Sequence, residues 1–275
     1  MSAAGAPTPT SPTSVVSAAV AAEEVVLAHG EHTAVDASSF LVPRSATVAC
    51  IGPNGSGKST LLDAIAGLLE PRSGRLSVMG GTPGRANVAY VFQSTETSAA
   101  LPLTTREVVT MGRYRTTGLW GRLGAAGRAA VQEAMERTDV EDLAGAQLLE
   151  LSGGQRQRVF IAQGLAAGAD LLVLDEPMTG LDLVSQQRVL EVIAAERARG
   201  ATVVFSTHDL AEAAAADQVL LLAGRVVAAG APGTVLTREN LRLAYEGHLV
   251  EVGGLLIDDP HHHGSRADRH DGHVH

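Results

Sequence analysis

Apolar residues along the chain fall into short runs of two distinct periods. Thr47-Val48-Ala49-Cys50-Ile51, Leu171-Leu172-Val173-Leu174 and Thr202-Val203-Val204-Phe205 are continuous and end in polar turns. Runs of that kind read as buried strands of a parallel sheet, apolar on both faces. Val88-Ala89-Tyr90-Val91-Phe92 adds another strand-like run, and Val25-Val26-Leu27 and Phe40-Leu41-Val42 add β-prone segments near the N-terminus. From about residue 94 to about 165 the pattern becomes mainly helical. Thr104 and Glu107 have capping-box spacing ahead of Val108, Val109 and Met111, and Gly127 to Arg137 carries Val131, Ala134 and Met135 on one face. From about 170 to 230 strands and helices alternate, as expected of a parallel α/β sheet. There is no internal repeat.

Composition narrows the picture modestly. At 275 residues the chain is long enough for one large core with an inserted subdomain. Apolar content of 45% with only 3% aromatics predicts an interior packed with Ala, Val and Leu. A formal charge of −9 argues against a general nucleic-acid binder, which needs a basic footprint. The single cysteine, Cys50, rules out an internal disulfide framework and reads as a core residue. Ser2 to Ser14, rich in Pro, Thr, Ser and Ala, reads as a flexible leader rather than a secretory signal. The apolar stretch Val219 to Ala231 is interrupted by Arg225 and is too short to span a bilayer, so a cytoplasmic location is expected.

The chemistry is concentrated in three places. Gly52-Pro53-Asn54-Gly55-Ser56-Gly57-Lys58-Ser59 matches the phosphate-binding pattern G-x-x-x-x-G-K-[ST], placed between a strand-like run and a helix-like one starting near Thr60. Its glycines let backbone N–H groups turn toward phosphate oxygens, and the helix N-terminus adds partial positive charge. Lys58 suits the outer phosphates and the Ser59 hydroxyl suits Mg²⁺. Second, the run Leu171 to Leu174 ends in Asp175-Glu176, at the carboxyl edge where α/β sheets bind ligands. Asp175 is placed to hold Mg²⁺ and Glu176 to polarise an attacking water. Third, Leu151-Ser152-Gly153-Gly154-Gln155 precedes an amphipathic stretch. Ser152 and Gln155 have capping-box spacing, and the glycines permit close approach to an anion. Asp63, Arg72 and Arg75, near the loop, read as surface charges.

In this order the three motifs resemble those of the ABC-type ATPases, over about Glu23 to Leu249. The resemblance implies an α/β P-loop NTPase. It would have a RecA-like parallel core, an N-terminal antiparallel β subdomain and an inserted helical subdomain at about 94–165. The expected division is a leader at 1–21, an ATPase domain at 22–250 and a histidine-rich tail at 251–275. The resemblance also assigns further residues. Gln93 would sense Mg²⁺ and the attacking water, and His208 would contact the terminal phosphate. Gly180-Leu181-Asp182 would touch a second ATPase subunit. His29 stands where the family usually stacks an aromatic residue on adenine. ATP and Mg²⁺ are the implied ligands. Each ATP would lie between the phosphate loop of one subunit and the signature, Leu151 to Gln155, of another, so a chain with one of each would act as a homodimer. A membrane permease would receive the movement through a groove near Gln93, placing the subunit peripherally on the inner face of the membrane.

The cargo is less legible. The tail from Asp258 holds His261, His262, His263, His270, His273 and His275 among aspartates, a compositional signal for zinc and related ions. Asn240 to Leu249 and Val109 to Tyr114 resemble the ATPases of zinc and manganese importers, which implies an extracytoplasmic metal-binding protein. Gly118-Leu119-Trp120-Gly121-Arg122-Leu123 instead resembles the iron–siderophore, haem and cobalamin group. Outside transport, the alternatives are an ABC ATPase acting on ribosomes or DNA, which usually has two cassettes or a coiled-coil insertion, and a P-loop regulator that only binds nucleotide.

Overall fold

A computed structural model describes residues 18–92, 102–118 and 122–245, together with the backbone of 249–252 and 255–258. Two sheets carry most of the architecture. β1 (Ala18–His29), β2 (His32–Pro43) and β4 (Ser73–Val78) form a three-stranded antiparallel sheet in the order β2-β1-β4. The second sheet has six strands, β5 (Val88–Val91), β6 (Leu171–Leu174), β7 (Thr202–Thr207), β3 (Thr47–Ile51), β8 (Gln218–Leu222) and β9 (Val226–Gly230), in that spatial order. All neighbours in it are parallel except β8 and β9, which run antiparallel.

Side chains alternate across the larger sheet with the strand period of two. Val48 and Cys50 face a core completed by Leu61, Leu62 and Ile65 of α1 (Lys58–Ala66). Ala49 and Ile51 face the opposite layer, with Ile161, Val192, Ile193, Leu241 and Tyr245. Those residues come from α5 (Gly153–Ala166), α6 (Leu183–Ala198) and α9 (Arg238–Tyr245). Being covered on both faces is why these strands read as continuous apolar runs.

The helical region has its own core. α2 (Thr105–Met111), α4 (Ala125–Arg137) and α5 pack Val109, Met135 and Val159 together, with the short α3 (Tyr114–Thr117) between α2 and α4. Thr104 caps α2 in the expected box with Glu107. An ion pair fixes this unit to the layer behind it. Arg137 at the end of α4 lies 2.6 Å from Glu196 of α6, their side chains only 20% and 13% exposed. Arg199 adds a contact to Glu133 at 2.7 Å.

Two strands lie across the expected divisions of the chain. β1 starts at Ala18, ahead of the expected edge of the leader at residue 21, because Ala18 to Ala22 are small enough to be buried between β2 and β4. At the other end, β10 (Leu249–Val252) and β11 (Leu255–Asp258) pair as an antiparallel hairpin across the expected start of the tail at 251. The apolar stretch Val219 to Ala231 becomes β8, a turn at Gly224 with φ 66°, and β9. α7 (Leu210–Ala214) and α8 (Pro232–Val235) complete the second half. Among the described residues no helix is long and apolar enough to cross a membrane.

Candidate active site

The phosphate loop joins β3 to α1 at the carboxyl edge of the large sheet. Gly52 admits no side chain, since a Cβ there would lie 2.1 Å from the Leu222 carbonyl oxygen and 2.7 Å from Ser56 Oγ. Gly57 has φ 95°, and a Cβ there would lie 2.5 Å from Val35 Cγ2 and 2.7 Å from the Ala34 carbonyl oxygen. The loop is therefore wedged between β2 and the end of β8, which fixes its path. Lys58 is buried, and its Nζ donates to the carbonyls of Gly52 at 2.7 Å and Pro53 at 3.1 Å. The ammonium is thus held against its own loop at the start of α1. Ser59 is exposed beside it.

The acidic pair lies two strands away. Asp175 is buried at the end of β6. The Ser206 hydroxyl on the adjacent β7 donates to Asp175 Oδ1 at 2.5 Å, and Ser206 Oγ accepts from the Glu176 N–H at 2.7 Å. Glu176 itself has φ 45°, a left-handed conformation that costs a non-glycine residue about 1–3 kcal/mol. Its carboxylate accepts from Thr179 Oγ1 at 3.0 Å. A strained acid held by a buried serine is a site feature that the sequence motif alone does not show. Ser206 lies in a strand that reads as an apolar run, and it is one of three buried hydroxyl residues there, with Thr202 and Thr207.

Two neighbours shape the local electrostatics. Burial, then the Asp175 charge, pushes the Cys50 thiol up to about 12 against the opposing pull of Lys58. Cys50 therefore stays a neutral core group under the loop. Tyr90 of β5 pairs with Val173 in the parallel register and so lies on the same face of the sheet as Asp175. Burial, then the charges of Asp175 and Asp63, keep the phenol protonated far above its usual range. Asp63, read from the sequence as a surface charge, is half-buried on α1. Arg72 and Arg75 are exposed as expected.

The remaining motif residues sit around this centre. His208 is exposed just past β7, where Thr207 bonds to Glu212 and Asp209 caps α7 through Oδ1. His29 is exposed at the end of β1, its Nε2 3.3 Å from Thr60 Oγ1 on α1. Ser152 caps α5 in a complete box: its Oγ accepts from the Gln155 N–H at 3.2 Å, and its own N–H donates to Gln155 Oε1 at 2.9 Å. Ser152 and Gly153 are exposed, and Leu151 is buried as the anchor. Asp182 caps α6 by accepting from the Ser185 N–H at 2.8 Å, which holds its carboxyl below the usual carboxylate range. Gln93 and the tail residues His261, His262, His263, His270, His273 and His275 lie outside the described residues.

Comparison with known proteins agrees with this geometry. Residues 35–179 match the ABC transporter family. The zinc transport system ATP-binding protein TroB of Treponema pallidum is 37% identical over 94% of this chain and 95% of its own. The manganese transport system ATP-binding protein MntB of Bacillus subtilis is 34% identical over 87% of this chain and 97% of its own. Among solved structures, an ABC transporter assigned to the metal-chelate type, in an inward-facing conformation, superposes with a TM-score of 0.74. It is 27% identical and covers 87% of this chain and 95% of the other. The chain belongs to the ABC transporter family, as an ATP-binding and ATP-hydrolysing subunit with the α/β P-loop fold.

Proposed function

We propose that this ATPase energises the import of divalent metal ions, zinc or manganese, through a membrane permease. The observation that carries the reading is the near-full-length likeness to zinc and manganese transport subunits.

In this proposal the loop Gly52 to Ser59, with Thr60, holds the phosphates, and His29 borders the base. Lys58, already seated on the loop carbonyls, reaches the outer phosphates. Ser59 and Asp175, with Gln93, would hold Mg²⁺. The hydroxyl and the carboxylate are hard oxygen donors of the kind this ion prefers, and the Ser206 hydrogen bond keeps Asp175 oriented. When bound, the ion would supply charge neutralisation at the phosphate oxygens. Glu176 positions the attacking water and His208 contacts the terminal phosphate. The backbone strain at Glu176 supports that role, since such outliers concentrate where geometry serves chemistry.

The signature residues Leu151 to Gln155 would face the ATP of a second copy of this chain. Exposed Ser152 and Gly153 support that arrangement, as do Leu183 and Val184, 82% and 81% exposed beside the Asp182 turn. The homodimer would sit on the inner face of the membrane against its permease, supplied by an extracytoplasmic metal-binding protein. The histidine tail would sense or buffer metal after entry. Affinity purification of the chain from solubilised membranes tests the transport role. A polytopic membrane protein should come with it in stoichiometric amount. Purification with ribosomes or DNA and no membrane protein would overturn the proposal.

A further inference from the structure

α7 starts on a variant of the cap used elsewhere in this chain. At α2 and α5 the third helical residue, Glu107 or Gln155, accepts directly from the N–H of its cap residue, Thr104 or Ser152. At α7 the cap is Asp209 and the third residue is Glu212, and a hydroxyl stands between them. The Asp209 N–H donates to Thr207 Oγ1 at 3.0 Å, and the Thr207 hydroxyl donates to Glu212 Oε2. Asp209 Oδ1 closes the ring by accepting from the Glu212 N–H at 3.1 Å. The chain enclosed between Thr207 and Asp209 is His208.

Capping α7 is done by the Asp209 carboxylate, which takes the N–H groups of Ala211 and Glu212. The bond from Thr207 to Glu212 lies outside the helix and fixes the turn on either side of His208. Both ends of that turn are anchored, since Thr207 is 3% exposed at the end of β7 and Ala213 is fully buried on α7. Successive residues leave a strand on opposite faces. Ser206 therefore serves the acidic pair, and Thr207 serves the histidine turn. Glu212 is half-buried, where a carboxylate is costly without a partner. Burial raises its pKa, and the Thr207 bond opposes that rise. We infer that Glu212 is a positioning residue for ATP hydrolysis, which acts through the Thr207 hydroxyl to fix the backbone around His208 and so the reach of that imidazole toward the terminal phosphate. This inference rests on the reading of His208 as the contact to that phosphate.

The test separates turnover from binding by measuring kcat and KM for ATP hydrolysis by the full chain, with thermal unfolding as the check on folding. Glu212→Ala and Thr207→Val should each lower kcat by about 10-fold and change KM by less than about 2-fold, because the phosphate loop is untouched. Thr207→Ser keeps the hydroxyl and should stay within about 2-fold of the unmodified chain in kcat. In a His208→Ala background, Glu212→Ala should lower the remaining kcat by less than about 2-fold, since its effect passes through the imidazole. A normal kcat in Glu212→Ala would overturn the inference. So would an equal loss with and without His208, or a Thr207→Ser variant as damaged as Thr207→Val. If Thr207→Val does not fold, Glu212→Ala and its pairing with His208→Ala decide alone. His208→Ala is the separating arm. If it turns over normally, the assignment of His208 itself fails; if it loses turnover while Glu212→Ala does not, only the positioning role fails.

Discussion

Ser206 Oγ is 2.5 Å from Asp175 Oδ1 and 2.7 Å from the Glu176 backbone nitrogen, so one buried hydroxyl holds both acids of the site. It donates to the first and accepts from the second. That bridge ties the end of β6 to β7 and pins the strained turn at Glu176.

Replacing Ser206 with alanine leaves the buried Asp175 oxygen and the Glu176 N–H without their partner. The expected cost is about 1–3 kcal/mol of stability. ATPase activity should fall more than nucleotide affinity, because the loop that binds phosphates is untouched. Urea unfolding and steady-state ATPase assays read the two effects separately.

Glu176→Gln should retain ATP binding and lose hydrolysis by about 10²–10⁴-fold, the usual worth of a general base. Lys58→Ala should weaken binding itself. Nucleotide binding and phosphate release measured side by side distinguish the two variants.

The ion pair between Arg137 and Glu196 joins the helical subdomain to α6 at 2.6 Å with little exposure on either side. Glu196→Ala removes the carboxylate paired with Arg137 in a mostly enclosed position. A loss of about 3 kcal/mol is expected, measurable by chemical denaturation.

Much of the fold could be read from the chain. The buried strands announced themselves because both faces of the sheet are covered, so Val48 to Ile51 and Leu171 to Leu174 had no polar alternation to hide behind. Thr104 and Ser152 were legible as helix starts because a capping box is a local device. Long-range relationships were not legible. Ser206 reaches Asp175 only because β6 and β7 are neighbours. The early start of β1 at Ala18 was missed because alanines carry little strand signal until β2 and β4 bury them.

Subunits that share their ATP sites should complement one another. In a mixture of Lys58→Ala and Ser152→Arg chains, a mixed dimer has one site with both lesions and one with neither, so part of the activity should return. No recovery on mixing would mean that both motifs serve the same ATP within one chain.

Removing residues 259–275, beyond the end of β11, should leave basal ATPase activity intact, since every nucleotide motif lies upstream. Zn²⁺ binding should fall with the deletion. In the full chain the tail's affinity should drop as pH falls through about 6.5, because ligation needs neutral imidazole. Calorimetric Zn²⁺ titration of both forms at two pH values checks this.

The most direct test of the transport role is uptake in a strain whose only copy of this chain carries Glu176→Gln, compared with the unmodified chain. Radiolabelled zinc, manganese and siderophore-bound iron are followed in parallel. Zinc or manganese uptake should fall to background while siderophore-iron uptake stays normal. Normal zinc and manganese uptake with loss of siderophore-iron uptake would contradict the account.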